Sequence, residues 1–390
     1  MLQRLQEIIN RIAADTGVPT SLTDTRLNSL VFGPHDDAEI DTVRRQALLL
    51  RSTPDWVRDW FGRYGIDTAT APVRIPADPG RGLAGRVVVP ARWESTTCGY
   101  ICLLDVRQEL DGARLVAVVE AAGEVGRILY TDRQARHSDA DLLGELVRGS
   151  AIERGKAAAR LEEQGRFPVG WPVAALFLHP LEGGGGTGAL EHWLWRSHGA
   201  LLPRGALRCL DDDGAVILAP VPPGEEKEYG VRIAEQVRSS RPNEAALVVG
   251  VGEAQSDVRD VHLSYRHARS AARAARVWPQ TGPVCSWEML GALRVLIGTP
   301  KDLLRDLMDP RVQRLCRAQM PSLIDTLEKY LDSGCDIQAT AAQMHVHRGT
   351  VYYRLDKVAS LSGLDLGDGM DRLALHLGIK TMRLIESTAA

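Results

Sequence analysis

The sequence predicts an α+β protein of several domains, and three observations support this fold class. Short strand patterns separated by turns occupy much of residues 18–104, strands and helices alternate between residues 171 and 275, and only helical patterns follow residue 302. A chain of 390 residues with 44% hydrophobic side chains has enough apolar material for two or three separate cores. We therefore expect an N-terminal α/β domain, a central ferredoxin-like domain and a C-terminal all-α domain.

Charge and cysteine content exclude several classes of protein. The 47 basic and 50 acidic side chains give a formal charge of −3, so a site for a polyanion must be local. The N-terminus carries Arg4, Glu7 and Arg11 where a signal peptide or a membrane span needs an apolar core. The 6 cysteines form neither a C-x-x-C pair nor a zinc-like spacing. These features predict a cytoplasmic protein with reduced thiols and with no membrane contact, metal or cofactor.

The N-terminal domain is expected to cover residues 1–135. An initial helix places Leu2, Leu5, Ile9 and Ile12 on one stripe, which is either a dimer seam or an ordinary packing face. The polar residues 131–137 are expected to end this domain. The other predicted elements are strands at 18–24, 27–33, 72–76, 83–90 and 99–105 and helices at 36–64 and 115–129.

Four aromatic residues among these elements are candidates for an effector pocket. Trp56, Trp60, Trp93 and Tyr100 either line a pocket for a small apolar or aromatic effector or fill an ordinary core.

The central domain is expected to cover residues 138–298. Ser138 is a suitable N-cap for its leading helix, and from Trp171 the elements follow the order βαββαβα, with a hairpin around Asp213-Gly214. This order predicts a ferredoxin-like plan with one added helix.

Two glycine patterns in the central domain suggest nucleotide binding but do not meet its requirements. Gly250-Val251-Gly252 follows a strand, yet Gln255 stands where a dinucleotide-binding fingerprint needs a third glycine. The run Gly183–Gly186 lacks the Lys-Ser/Thr of a phosphate loop. We interpret the second pattern as a flexible loop.

The C-terminal domain, expected over residues 302–390, contains the strongest signal of the chain. Residues 336–357 meet the requirements of a helix-turn-helix. Its predicted parts are a small crossing residue, a helix end, a turn that tolerates a left-handed conformation, a buried plug and an inner apolar stripe: Ala341, Met344, His345, Val346, and then Val351, Leu355 and Val358.

With that stripe turned inward, the second helix presents a polar set that suits a DNA groove. Arginine can hold guanine in a bidentate manner, Thr and Tyr can contact phosphate or a thymine methyl group, and Lys can neutralise a phosphate. The alternative is a structural helical hairpin with a solvated basic face, and one or two of the residues are expected to support the core. The candidate DNA-binding residues are His347, Arg348, Thr350, Tyr352, Tyr353, Arg354 and Lys357.

These residues also resemble a known family. The C-terminal segment is similar to the helix-turn-helix of PucR/CdaR-type bacterial transcriptional regulators. Gly349 stands where that family usually has Asn and Val351 where it usually has Leu, so the resemblance does not extend to a contact made by the Asn side chain. The matching residues are His347, Arg348, Thr350, Tyr353, Arg354, Leu355, Gly363, Leu364, Asp365 and Leu366.

The resemblance extends towards the N-terminus. Residues 248–275 look like the end of the degenerate GGDEF-like domain of these regulators, and the N-terminal strands look like a GAF- or PAS-type sensor. Active cyclases of the GGDEF class need an acidic metal ligand at the end of the first strand and their motif on a later hairpin. Here the first strand ends in Leu178-His179-Pro180 and the hairpin offers Asp211–Asp213. The resemblance therefore implies a regulator without catalytic residues.

The sequence as a whole predicts an effector-responsive transcriptional regulator that binds promoter DNA through the helix at 347–360. The alternatives are a nucleotide-handling enzyme of the GGDEF type and a signalling scaffold, each with an accessory helical tail. The expected partners are double-stranded DNA, a small-molecule effector and a second copy of the chain, as a homodimer or a higher homo-oligomer.

The prediction of a dimer rests on charge. Residues 336–390 hold as many basic as acidic side chains, so one copy can neutralise few phosphates and two copies are needed on one DNA. A C-terminal stripe could join the copies, although we favour the sensor half as the main contact. That stripe consists of Met370, Leu373, Leu377, Thr381 and Leu384.

Overall fold

The computed structural model divides the chain into two units, Met1–Asp139 and Ala140–Ala390. The residues that it describes are 1–34, 41–45, 53–181, 190–191, 193–194, 202–240, 247–318 and 320–387.

The first unit is built around a five-stranded antiparallel sheet with the strand order β2-β1-β5-β4-β3. The short strands and turns of the sequence thus form one sheet, as predicted. Of the predicted helix at 36–64, residues 41–45 and 53–64 are described, and among these the chain is helical over 42–45 and 55–62 but not at 53–54. The strands are β1 (Thr20–Thr23), β2 (Ser29–Phe32), β3 (Val73–Ile75), β4 (Arg86–Trp93) and β5 (Thr96–Leu104), and the helices are α1 (Leu2–Thr16), α2 (Asp55–Gly62) and the first part of α3 (Gly112–Arg148).

One face of this sheet carries the larger core of the unit. Strand residues such as Val87 and Ile101 pack with Leu5 and Ile9 of α1 and with Val125 of α3. The apolar stripe of the N-terminal helix is therefore buried within its own unit, which decides between the two interpretations of that stripe: it is a packing face.

The opposite face of the sheet is covered by α2 and by residues 42–45. Val88 and Cys102 of the sheet pack there with Val57 and Phe61 of α2 and with Val43.

Helix α3 corrects one prediction. One helix runs from Gly112 to Arg148. Residues 131–137 therefore do not interrupt the helical structure, and Ser138 is not an N-cap. The segment has neither glycine nor proline, and Asp132 pairs with Arg136 one turn later. A polar segment with good helix formers continues a helix as readily as it ends one.

The second unit contains a five-stranded sheet with the order β10-β9-β6-β8-β7, antiparallel except for β9 and β10. Strands β9-β6-β8-β7 have the arrangement of a ferredoxin-like fold, which confirms the predicted plan. Most of the predicted helix at 189–200 and the whole run Gly183–Gly186 lie outside the described residues. The elements are α4 (Ala151–Glu163), β6 (Val173–Pro180), β7 (Leu207–Asp211), β8 (Gly214–Pro220), α5 (Tyr229–Ser239), β9 (Leu247–Val251), α6 (Val261–Val277) and β10 (Val284–Ser286).

Gly250 of β9 and Gly252, which follows the strand, have a packing role. A side chain at Gly250 would collide with the backbone of Ala268 and Ala272, and one at Gly252 would collide with Ser264. Helix α6 therefore lies directly on the strand, and this close approach requires glycine.

The C-terminal part of the second unit is helical, as predicted. Its helices surround a core that includes Val312, Leu327, Val351 and Leu375. The helices are α7 (Leu293–Gly298), α8 (Lys301–Leu307), α9 (Pro310–Arg317), α10 (Pro321–Asp332), α11 (Ile337–Met344), α12 (Arg348–Ser362) and α13 (Gly369–Glu386). No helix in the described part of the chain is both long and apolar enough to cross a bilayer.

Candidate functional site

The predicted helix-turn-helix is formed by α11 and α12. The carboxylate of Asp336 caps α11 by accepting hydrogen bonds from the backbone N–H groups of Gln338 (2.7 Å) and Ala339 (3.0 Å). Helix α11 ends at Met344, and His345 takes the left-handed conformation, with φ of 53°. This conformation confirms the turn predicted at His345. His is among the few residues enriched in the left-handed region.

The inner stripe of α12 is buried as predicted. Val351, Leu355 and Val358 lie in the helical core together with Ala341, and Val346 packs against this core from the turn. Because these residues recur at helical spacing, their burial fixes which face of α12 is left for solvent.

The solvent face of α12 carries Arg348, Tyr352, Tyr353 and Lys357, all of which are exposed. Tyr353, at 69% exposure, is more exposed than Tyr352. Within the described residues, no acidic side chain lies within salt-bridge distance of Arg348 or Lys357. Both cations are therefore available to an external anion.

The first turn of α12 is organised by His347. Its Nδ1 accepts a hydrogen bond from the backbone N–H of Gly349 at 3.1 Å, so the ring acts as the N-cap of the helix. Thr350 follows and is half-buried. Both residues lie at the helix N-terminus, where backbone N–H groups favour a phosphate.

Arg354 differs from the other candidates because it turns towards the domain interior. Its Nη1 donates a hydrogen bond to Oγ1 of Thr326 at 3.0 Å, and Thr326 is fully buried on α10. The side chain therefore joins α12 to α10, which matches the expectation that one or two of the candidates support the core.

Two cations of the last helix, Lys380 and Arg383, are engaged in an ion-pair network that no sequence pattern indicates. Lys380 is buried on α13, where its Nζ lies 2.9 Å from Oε1 of Glu328 and 2.7 Å from Oδ2 of Asp332. Arg383 pairs with Asp325 and Glu328. These pairs join α13 to α10, and no sequence motif indicates them because the partners lie about 50 residues apart along the chain.

Two of the three acidic residues of the central hairpin, Asp211 and Asp213, are paired with basic side chains. The buried carboxylate of Asp211 accepts hydrogen bonds from Arg148 and from the hydroxyl of Tyr265. Asp213 accepts one from Arg269 at 2.9 Å. The residue at the strand end, His179, has its pKa lowered by burial and by Arg276. These acids neutralise arginines, so the arrangement is poorly suited to hold a divalent cation.

A cavity of about 60 Å³ lies in the first unit, on the α2 side of the sheet. Two buried arginines, Arg44 and Arg86, line it together with the thiol of Cys102. Burial raises the pKa of this thiol, so it is neutral and unreactive. No local sequence pattern indicates this site, because its residues come from distant segments.

The four aromatic residues predicted for an effector site do not line this cavity. Trp56 and Trp60 pack against the core between α2 and the sheet. Tyr100 is buried on β5, where its hydroxyl donates to Asp67 at 3.4 Å and burial raises its pKa to about 12. Trp93 lies at the end of β4 and is one-third exposed.

Comparison with known families identifies two segments of the chain. Residues 323–381 match the PucR C-terminal helix-turn-helix domain, which includes α11 and α12. Residues 107–274 match the GGDEF-like domain.

Several curated regulators are similar to this chain. The proline-responsive transcriptional activator PutR of Bacillus subtilis (strain 168) is 20% identical over 97% of this chain and 96% of its own length. The DNA-binding transcriptional activator AdeR of the same organism is 19% identical over 97% and 92%. Its purine catabolism regulatory protein is 28% identical over 38% of this chain and 29% of its own length.

Among solved structures, a regulator of polyketide synthase expression from Bifidobacterium adolescentis matches 60% of this chain and 92% of its own, with 16% identity and a TM-score of 0.25.

The helix-turn-helix and the relatives define a DNA-binding transcriptional regulator. The PucR-type helix-turn-helix follows a GGDEF-like domain in the chain. The similar curated proteins include the transcriptional activators PutR and AdeR. The chain thus resembles regulators of the PucR type in both of the segments that match.

Proposed function

We propose that the protein binds promoter DNA by placing α12 in the major groove. The observation that carries this proposal is the division of α12 into two faces. One face is an apolar stripe within the core, and the other exposes Arg348, Tyr352, Tyr353 and Lys357.

The positions along α12 support separate roles for its residues. Arg348 lies in the first turn, where recognition helices contact base edges, and arginine can read guanine by two hydrogen bonds. Lys357 lies nine residues later, about 13 Å along the helix axis, and is suited to a phosphate. His347 and Thr350 place the helix N-terminus against the DNA backbone.

Fluorescence anisotropy with a duplex selected from random sequences tests this proposal. We expect the wild type to bind this duplex and Arg348→Ala to bind it more weakly. Arg305→Ala removes an exposed arginine from α8 and serves as a matched control that retains binding. Equal affinity in wild type and Arg348→Ala would contradict the assignment of Arg348.

We also propose that two copies act together on one DNA. Met370, Leu373 and Leu377 are exposed on one face of α13, whereas Thr381 and Leu384 of the same predicted stripe are buried. The exposed part is available to a second copy, and the pair would read a pseudo-palindrome. Its half-sites would lie one helical turn of about 10 base pairs, or a multiple of it, apart. Because the α1 stripe is buried within its own unit, α13 replaces the sensor half as our candidate contact between copies. Light scattering should show a dimer for the wild type and a monomer for Leu377→Glu.

We propose that the N-terminal unit is an effector-binding sensor of the GAF or PAS type. An antiparallel sheet with helices on both faces and a cavity beneath one of them supports this proposal. The name of PutR, which aligns over nearly its whole length, supports a small-molecule effector. The cavity at Arg44 replaces the four aromatic residues as our candidate site.

The central domain is proposed to connect sensor and output without catalysis. Asp211 and Asp213 are paired with arginines, so the enzymatic alternative has no observation in its favour. We retain the proposed domain limits of 1–135, 138–298 and 302–390. A regulator of this kind acts where the DNA is, which in a bacterium is the cytoplasm.

A further inference from the structure

The cavity of the N-terminal unit has a polar end and an apolar end. Arg44 and Arg86 are more than nine-tenths buried, with 7% and 9% of their surfaces exposed. The guanidinium of Arg86 also lies over the ring of Phe61, at 5.5 Å from its centroid. The apolar end is formed by Leu27, Val43, Val57 and Phe61.

Only one of the two arginines has an acidic partner among the described residues. Arg86 pairs with Asp41, whose carboxylate also accepts a hydrogen bond from the backbone N–H of Ala84 at 2.8 Å. The guanidinium of Arg44 donates to the carbonyl oxygens of Pro19 (3.1 Å) and Thr20 (2.8 Å). Its Nε has no hydrogen-bond partner.

Counted over the described residues, the cluster therefore carries one positive charge without a paired carboxylate. Burial lowers the pKa of Arg44 to about 10, but the side chain is still a cation at neutral pH. A buried charge without a counter-ion is costly, and a bound anion would remove this cost.

The chemistry of the cavity selects the class of anion. A monoanion balances a single positive charge, and the planar fork of a guanidinium fits a carboxylate. Chloride, sulfate and phosphate lack an apolar part for the wall formed by Leu27, Val43 and Val57. A volume of about 60 Å³ holds about four to six water-sized groups, which limits the ligand to a few non-hydrogen atoms.

We infer that this cavity binds a small aliphatic monocarboxylate, whose carboxylate contacts Arg44 and whose short apolar part contacts Val43, Val57 and Phe61. The inference rests on the proposed sensor function and specifies the class of its effector.

The full-length protein can be tested with defined probes. Propionate and pyruvate are compared with propionamide, a neutral analogue of similar shape, and with inorganic phosphate, and binding is followed by calorimetry and by the shift in Tm. We expect the two carboxylates to bind and raise Tm, and we expect neither effect from propionamide or phosphate. Binding of propionamide as tight as that of propionate, or binding of phosphate alone, would overturn the inference.

Variants locate the binding site. Arg44→Met is expected to weaken propionate binding about tenfold or more, since a hydrogen bond to a charged group is lost. The matched control Arg107→Met removes an exposed arginine of the same unit and should bind as the wild type does. Undiminished binding in a folded Arg44→Met would overturn the inference.

A second variant covers the case in which Arg44→Met fails to fold. Cys102→Met keeps both arginines and adds bulk to the cavity wall, so we expect it to lose propionate binding while keeping its thermal transition. Full binding by folded Cys102→Met would place the ligand elsewhere and overturn the inference. Anisotropy with the selected duplex is measured in parallel, so a failure of DNA binding is distinguished from a failure of carboxylate binding.

Discussion

The arginines of the N-terminal sheet and those of α12 lie in opposite environments. Arg44 and Arg86 are buried beside a small cavity, whereas Arg348 is exposed at the start of a surface helix. A buried guanidinium needs a partner in the fold or in a ligand, because its charge is removed from water. An exposed guanidinium is solvated and can remain unpaired until a polyanion binds. Burial therefore decides whether a cation stabilises the fold, binds a small ligand or binds DNA.

Breaking the buried pair should have the largest effect. Arg86→Met leaves the carboxylate of Asp41 buried without its counter-ion, and loss of one partner of such a pair costs about 3–5 kcal/mol of unfolding free energy. Urea denaturation of Arg86→Met and of the exposed control Arg107→Met measures the difference. A loss as small as that of the control would show that Asp41 is solvated.

Removing the exposed arginine should leave stability unchanged and weaken DNA binding. For Arg348→Ala we expect a loss of about 1–3 kcal/mol in binding of the selected duplex, because one base contact is lost. Urea denaturation should place its unfolding free energy within about 0.5 kcal/mol of the wild type. A large loss of stability would mean that Arg348 has a partner in the fold.

Arg354 is partly buried, between the buried Arg86 and the exposed Arg348. Arg354→Ala removes the hydrogen bond to the buried Thr326, so we expect a loss of about 1–2 kcal/mol in unfolding free energy. DNA affinity under strongly stabilising conditions should stay close to that of the wild type. A loss of DNA affinity at unchanged stability would show that Arg354 contacts DNA.

Lys357 should have a smaller and less specific effect on DNA. Lys357→Ala is expected to weaken binding to all duplexes alike and to lower the slope of log affinity against log salt by about one unit. Titrations at several salt concentrations, with selected and random duplexes, measure this slope. An effect on the selected duplex alone would indicate that Lys357 reads a base.

The smallest effect concerns a buried histidine of the central domain. Burial and Arg276 lower the pKa of His179 from its ordinary value of 6.5, with Asp213 acting in the opposite sense. The folded state thus favours neutral His179, and its contribution to stability is present above pH 6.5 and is lost as the pH falls through the lowered pKa. Denaturation across this range should show a weaker decline for His179→Gln than for the wild type.

The C-terminal domain could be predicted from the sequence almost residue by residue. Its signals are local: the turn at His345, the stripe Val351, Leu355 and Val358, and the left-handed Gly363 that ends α12. The hydrogen bond that turns Arg354 inward could not be predicted from the sequence, because Thr326 is 28 residues away and belongs to another helix.

The N-terminal unit was predicted only in outline. The strands were visible, but the cavity depends on Asp41, Arg44 and Arg86, which meet through tertiary packing and follow no motif. Aromatic composition suggested a pocket at Trp93 and Tyr100, yet neither residue lines the cavity. A break in the helix was predicted at residues 131–137 because polarity alone does not distinguish a linker from an exposed helix face.

Site-specific cross-linking tests the central claim that the exposed face of α12 contacts DNA. A photoreactive phenylalanine analogue replaces Tyr353, which is 69% exposed on α12, and in a control protein replaces Val295, which is 72% exposed on α7. After illumination with the selected duplex, we predict covalent protein–DNA product from position 353 and none from position 295. Binding of the duplex by both proteins without a cross-link from position 353 would contradict the assignment of α12 as the DNA-contacting helix.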